Sequence, residues 1–306
     1  MAADKSPFDG SGVVPAVLDT GIDADHPAFA EVNLLIEDFT NSGPKDAVGH
    51  GTHCAGTIFG RDVEGARIGV ARGVSRALIG KVLDDRGGGT TEALIQGMQW
   101  AIDHGANVIS MSLGFNVPGQ VAADVDSGWP AEAAASAALD SYRGNLRMFD
   151  AVMGLARAHA AFGSGSMVVA ASGNDNKREW PPPFRITTSL PAAAEGVLSV
   201  GAVEPPTDSK YSVAYFSNRM PKLVAPGVGI MSARVGGSTC SLSGTSMATP
   251  HVAGCAALWW ESTAAAGRPS AETVFSKVLA STRADVFSSR TSEIERGTGL
   301  VTAPLQ

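Results

Sequence analysis

From Gly12 onward, short runs rich in β-branched and apolar residues alternate with stretches of helical period, and this rhythm constrains the fold more than any other feature. Strands covered on both faces read as near-continuous apolar runs, and strands joined through helices run parallel. Residues 13–18, 77–83, 107–111, 167–171 and 197–203 are the strand candidates. Between the second and third lies 91–104, where Leu94, Met98, Ala101 and Ile102 share one helical face and Gly105 stands at the stop position. Strand, helix, strand in that order is a parallel crossover. The expected fold class is α/β, three-layered, with a mostly parallel central sheet and helices on both faces.

Residues 116–165 break the rhythm, with an Ala-rich segment at 131–139 and a second helix-like run at 146–160. They read as a helical insertion, and the proline cluster Trp180 to Pro183 reads as a surface loop. No repeat or low-complexity linker divides the chain, so residues 1–306 are expected to form a single domain.

Twelve per cent glycine, 36 of 306 residues, implies many tight turns rather than a collagen period. Twenty-three Lys plus Arg against thirty Asp plus Glu give a net charge of -7, with the acids scattered. That balance carries no basic footprint for nucleic acid. No apolar run approaches the ~18 residues of a membrane span, and residues 1–12 do not form a secretory signal. Taken as given the chain is intracellular; taken as a mature form with its leader removed it is secreted. Cys54, Cys240 and Cys255 cannot all pair within one chain and match no zinc spacing.

Three segments place a reactive side chain at the edge of an ordered element. Val17-Leu18-Asp19-Thr20-Gly21 is an apolar strand ending in a carboxylate, where open parallel sheets present functional groups. Gly49-His50-Gly51-Thr52-His53-Cys54-Ala55-Gly56 surrounds two histidines with small residues at the entry to a helix. His50 and His53 are three apart, but no acid lies between them and no third ligand is near, so no metal is expected there. Ser243-Gly244-Thr245-Ser246-Met247-Ala248-Thr249-Pro250-His251 sets a serine at a helix N-terminus, where unpaired N–H groups favour an anion. Taken singly, each has a bland reading: a turn-capping Asp, a packed helix, an N-cap serine.

Taken together, Asp, His and Ser in this chain order match the subtilisin arrangement, and the chain resembles the subtilase family of serine proteases. The similarity runs from about Gly10 to the segment Gly297-Thr298-Gly299-Leu300-Val301-Thr302-Ala303. The resemblance implies Ser246 as nucleophile, His50 as general base and then acid, and Asp19 as the group that orients the imidazole. It implies Asn174, in Ala170-Ala171-Ser172-Gly173-Asn174, as an oxyanion donor beside the Ser246 N–H. Gly87, Gly88 and Gly89 on one side and Ser112, Leu113 and Gly114 on the other resemble the segments that hold an extended peptide as an added strand. Ser172 and Gly173 would help line the pocket for the residue before the cut bond.

The implied activity is a serine endopeptidase acting through an acyl-enzyme, with activity rising into the neutral to alkaline range from a base pKa near ~6.5. Its partner is a peptide or protein substrate in extended conformation, with no nucleic acid and no membrane. A processing protease dedicated to one partner and a catalytically silent peptide-binding module are the other readings. An esterase elbow is disfavoured, because position 248 is Ala and His251, the only later histidine, lies on the same presumed helix.

No segment resembling the family's propeptide precedes Asp19, so an inhibitory propeptide supplied outside this chain is one expectation and folding without it the other. No cofactor is required for the chemistry. Ala28 follows His26-Pro27 where the family's high-affinity calcium site commonly has a carboxylate, so that site is not expected, while Asp84 and Asp85 remain for weaker structural calcium. Cys54 resembles the cysteine of the thiol-containing branch, as in proteinase K. The insertion at 116–165 leaves from a substrate-binding segment and reads either as a lid or as a stabilising addition.

Overall fold

The computed structural model describes residues 1–306 except 161, 162, 164, 179 and 180. Trp180 of the proline cluster and residues 161, 162 and 164 of the expected insertion therefore lie outside the described residues; Pro181, Pro182 and Pro183 are exposed.

Seven parallel strands form the central sheet: β1 (Pro15–Asp19), β2 (Asn33–Asp38), β3 (Arg76–Lys81), β4 (Val108–Met111), β5 (Met167–Ala171), β6 (Leu198–Val203) and β7 (Leu223–Pro226). Their order is β2-β3-β1-β4-β5-β6-β7, and an antiparallel pair, β8 (Ile230–Arg234) and β9 (Ser238–Leu242), stands apart. β1 therefore sits inside the sheet, with β3 on one side and β4 on the other. From β1 the chain crosses to the edge strand β2, returns through β3, then passes β1 and runs outward from β4 to β7 on the other side. Between β1 and β4 the winding reverses, which opens a crevice at the carboxyl ends of the strands.

Among the described residues seven α-helices complete the layers: α1 (His50–Phe59), α2 (Thr91–Asp103), α3 (Val117–Asp126), α4 (Ala131–Ala160), α5 (Thr245–Ala266), α6 (Ala271–Ala280) and the single turn α7 (Glu293–Arg296). Alternation along β1 divides the core. Val17 packs with residues of α1, α5 and α6, such as Ile58, Val252 and Val274, on one face. Ala16 and Leu18 pack with residues of α2 and α4, such as Met98 and Phe149, on the other. Asp19 follows Leu18, so its side chain falls on the α1 and α5 face.

The insertion differs from its reading in two respects: a further helix, α3, precedes the Ala-rich segment, and the two helix-like runs are a single 30-residue helix, α4. Gly144 lies between them with nothing within 4 Å of a Cβ built on it. A glycine at such a site lowers helix stability by only ~1 kcal/mol and does not break it. No described helix is long and apolar enough to cross a membrane.

Candidate active site

Strand ends bring the candidate residues together. Asp19 ends β1 and is 1% exposed. Its Oδ1 accepts hydrogen bonds from the Thr20 N–H at 2.8 Å and from His50 Nδ1 at 2.7 Å. A carboxylate only accepts, so Nδ1 carries a proton, and in the neutral imidazole Nε2 is left with its lone pair. His50 is the first residue of α1, and its helix sits tightly on the end of β1. A Cβ on Gly51 would strike the Gly21 carbonyl and lie 3.2 Å from Asp19 Cβ, so only glycine permits this approach.

A second carboxylate, absent from the sequence reading, ties these elements. Asp46 is 4% exposed. Its Oδ1 accepts from Thr20 Oγ1 (2.8 Å), Val48 N (3.1 Å) and Gly49 N (2.7 Å), and its Oδ2 from Thr52 N (2.9 Å) and Thr52 Oγ1 (2.7 Å). Burial pushes its pKa up, but the bonds from Thr52, Gly49 and Thr20 outweigh that and hold it below the ordinary carboxylate value. Thr20 follows Asp19 and in turn accepts from the Gly51 N–H at 2.9 Å. One side chain thus links the residue after Asp19 to the turn that carries His50. An acid just before a helix start was its only sequence signal.

Ser246 lies in the first turn of α5, where main-chain N–H groups have no intrahelical partner. Its hydroxyl donates to the Ser112 carbonyl at 3.1 Å, and Ser112 Oγ donates back to the Ser246 carbonyl at 2.8 Å. Among the described residues Ser246 makes no hydrogen bond to His50 in this arrangement, which departs from the expected contact. Such bonds are often long before a substrate is bound. Asn174 follows β5, and its Oδ1 accepts from Thr245 N (2.8 Å) and Thr245 Oγ1 (2.9 Å). Its amide nitrogen is thereby turned toward the cleft. A Cβ on Gly244 would sit 3.4 Å from Asn174 Nδ2 and 3.6 Å from Ser246 N, so glycine keeps the space beside both donors open.

Cys54, one turn along α1, is fully buried beneath this group. Its Sγ lies 4.0 Å from His50 Nδ1 and donates to the Ser246 carbonyl at 3.6 Å. Burial pushes its thiol pKa up, against the pull of a charged His50. For His50 itself, burial lowers the pKa, but the adjacent Asp19 carboxylate prevails and holds it well above the ordinary 6.5. That is higher than the sequence reading expected. His53 does not join His50: its Nε2 donates to the Ile230 carbonyl at 2.9 Å. His251 is pushed down to about 4 by burial and donates through Nδ1 to the Met247 carbonyl at 2.8 Å.

Two cavities flank the group. The larger, about 510 Å³, runs between the two expected substrate edges and is lined by His50, Gly87, Gly88, Gly89, Ser112, Leu113 and Gly114, together with Leu83, Thr90, Leu94 and Phe115. The smaller, about 160 Å³, is lined by Gly173, Asn174 and Ser246, with Asp175, Ser189, Leu113 and Phe115. Ser172 does not line it. Side chains alternate at the end of β5, so Ala171 and Gly173 face the cavity and Ser172 turns into the core, 0% exposed. Its carbonyl accepts from the Ser189 N–H at 2.9 Å and so fixes the pocket wall from behind.

Asp84 and Asp85 are already engaged: Asp84 Oδ1 accepts from the Arg86 and Gly88 N–H groups at 2.9 Å, and Asp85 Oδ1 pairs with Lys81 Nζ at 2.9 Å. Among the described residues, the one group of three His, Cys, Asp or Glu side chains with converging donor atoms is Asp19, His50 and Cys54.

The chain has known relatives. The subtilase family model matches residues 10–294. Subtilisin DY from Bacillus licheniformis is 36% identical over 253 residues, 82% of this chain and 77% of that protein. An intracellular serine protease from Paenibacillus polymyxa is 35% identical over 257 residues, 81% of this chain and 67% of that protein. Proteinase R from Parengyodontium album is 35% identical over 250 residues, 81% of this chain and 53% of that protein. A cold-adapted subtilisin-like serine proteinase of known structure superposes with a TM-score of 0.65 at 28% identity, covering 98% of this chain and 90% of that one. The chain belongs to the subtilase family and is a subtilisin-type serine endopeptidase.

Proposed function

We propose that peptide hydrolysis proceeds through an acyl-enzyme on Ser246, with His50, Asp19 and Asn174 as its partners. The observation that carries this reading is the 2.7 Å bond from His50 Nδ1 to the buried Asp19 carboxylate, which leaves Nε2 free as a base beside the Ser246 cleft. An extended peptide lies between Gly87–Gly89 and Ser112–Gly114, held by main-chain hydrogen bonds, with the side chain before the cut bond in the smaller cavity.

On binding, the Ser246 hydroxyl turns from the Ser112 carbonyl toward His50. Nε2 takes its proton as Oγ bonds to the substrate carbonyl carbon, and Asp19 stabilises the imidazolium that forms. Negative charge gathers on the carbonyl oxygen, where Asn174 Nδ2 and the Ser246 N–H donate to it. His50 then passes its proton to the amide nitrogen, the C–N bond breaks and the amine leaves. Water, deprotonated by His50, attacks the remaining ester, and the bond from the carbonyl carbon to Oγ breaks as His50 returns the proton to Ser246, freeing the acid.

Ser246→Ala tests the assignment. Hydrolysis of a chromogenic tetrapeptide amide is expected to fall by ~10⁶ in kcat, a scale established on subtilisin itself, with peptide binding retained. Turnover within tenfold of the parent removes Ser246 as nucleophile.

A further inference from the structure

The helices α3 and α4 leave the chain at the wall of the site, for Asn116 caps α3 directly after Phe115. Yet among the described residues no side chain of either helix lines the two cavities. The pair stands behind the cleft and does not cover it, which speaks against a lid.

One turn of α4 reaches both rims of the larger cavity. On the first rim, Phe149, 0% exposed, meets Phe115 edge to face with ring centroids 5.8 Å apart. Phe115 lines both cavities. On the second rim, Asn145 Oδ1 accepts from Thr91 Oγ1 at 2.7 Å. Thr91 opens α2 immediately after Thr90, which lines the cavity. Asn145 cannot swing away freely, because its Nδ2 donates to the Ser141 carbonyl at 3.0 Å, one turn earlier.

Asn145 and Phe149 are four residues apart, so they project from the same face with a rise of ~6 Å between them. The two rims they touch come from separate loops. Without a common support, the gap between those loops would vary independently of the sheet below. We infer that this turn of α4 is a brace that sets the width of the larger cleft, making Asn145 and Phe149 positioning residues for the part of a peptide remote from the cut bond. The substrate class it serves is an extended peptide long enough to lie between both rims. The inference rests on the reading that this cleft holds substrate.

Asn145→Ala and Phe149→Leu test it in the full chain, with two substrates: an extended tetrapeptide amide, and a single-residue ester that fills only the pocket beside Ser246. The expected result is a fall of about tenfold in kcat/KM for the tetrapeptide, carried mainly by KM, with the ester unchanged within about twofold. Equal losses on both substrates, or no loss on either, overturn the brace. Should Phe149→Leu fail to fold, Asn145→Ala at its half-buried position gives the same comparison. Failure of the underlying reading shows separately, as a tetrapeptide KM left unmoved by Gly88→Phe, which puts a bulky side chain on the edge of the larger cleft.

Discussion

Replacing Asp46 by asparagine tests whether one buried carboxylate holds Asp19 and His50 in register. The amide keeps the shape but turns one oxygen into a donor. If the NH₂ takes the Oδ1 position, it faces the N–H groups of Val48 and Gly49. If it takes the Oδ2 position, it faces the N–H of Thr52, while the Thr52 hydroxyl can rotate to accept. The second arrangement is cheaper and strands one buried donor, at ~1–3 kcal/mol. The three bonds remaining at Oδ1 change from charge-assisted to neutral, a loss of about 1 kcal/mol each. Removing the charge also relieves its desolvation cost, so the net destabilisation is ~3 kcal/mol.

Urea unfolding of the protein with its active serine blocked against self-digestion measures this. Slack between Thr20 and α1 should further lower kcat about tenfold, with KM little changed. The pH dependence has a definite sign. The folded-state pKa of Asp46 lies below its unfolded value of 3.8, so its contribution is complete above that value and fades as pH falls through the folded one. The stability gap between parent and variant should therefore close in acid. A variant within 0.5 kcal/mol of the parent at neutral pH, with unchanged kcat (~0.5 kcal/mol being the noise of a surface substitution), refutes the reasoning.

Because the Asp19 carboxylate raises the His50 pKa, the acid limb of the kcat/KM profile should lie above pH 6.5 and move down in Asp19→Asn; a limb at or below 6.5 in the parent contradicts the electrostatics. Asn174→Ala should lower kcat by ~10²–10³, a range measured on subtilisin, with KM nearly unchanged, since one oxyanion donor is lost; a loss confined to KM assigns it to ground-state binding. Mercurials should abolish activity in step with labelling of Cys54, whose sulfur lies 4.0 Å from His50 Nδ1, and not with labelling of the more accessible Cys240; full activity with Cys54 mercurated rejects this.

The elements legible in the sequence are those whose signal is local. β1, β3, β4, β5 and β6 are buried on both faces and read as apolar runs, with ends displaced by two residues at most. β2 was missed because it lies at the sheet edge, where Glu37 and Asp38 interrupt the apolar pattern. β7 is only four residues long and ends in Pro226, too short a run to stand out, and the β8-β9 pair is largely at the surface and carries no continuous run.

The candidate triad was visible because each member sits at the end of an element within a distinctive local motif. Asp46 and the pair Asn145 and Phe149 were not, since nothing local marks an acid or an aromatic that acts by linking distant loops. Ser172 was misplaced because its motif shows proximity to the pocket but not which way a strand-end side chain faces.

The most direct test of the account is where a serine-directed fluorophosphonate attaches. Reaction requires a serine whose oxygen is activated by a base and whose adduct oxygen meets oxyanion donors. The account predicts one equivalent bound per chain, located on Ser246 by peptide mapping, lost in Ser246→Ala and strongly slowed in His50→Ala. Adduct on another residue, or undiminished labelling in Ser246→Ala, contradicts it.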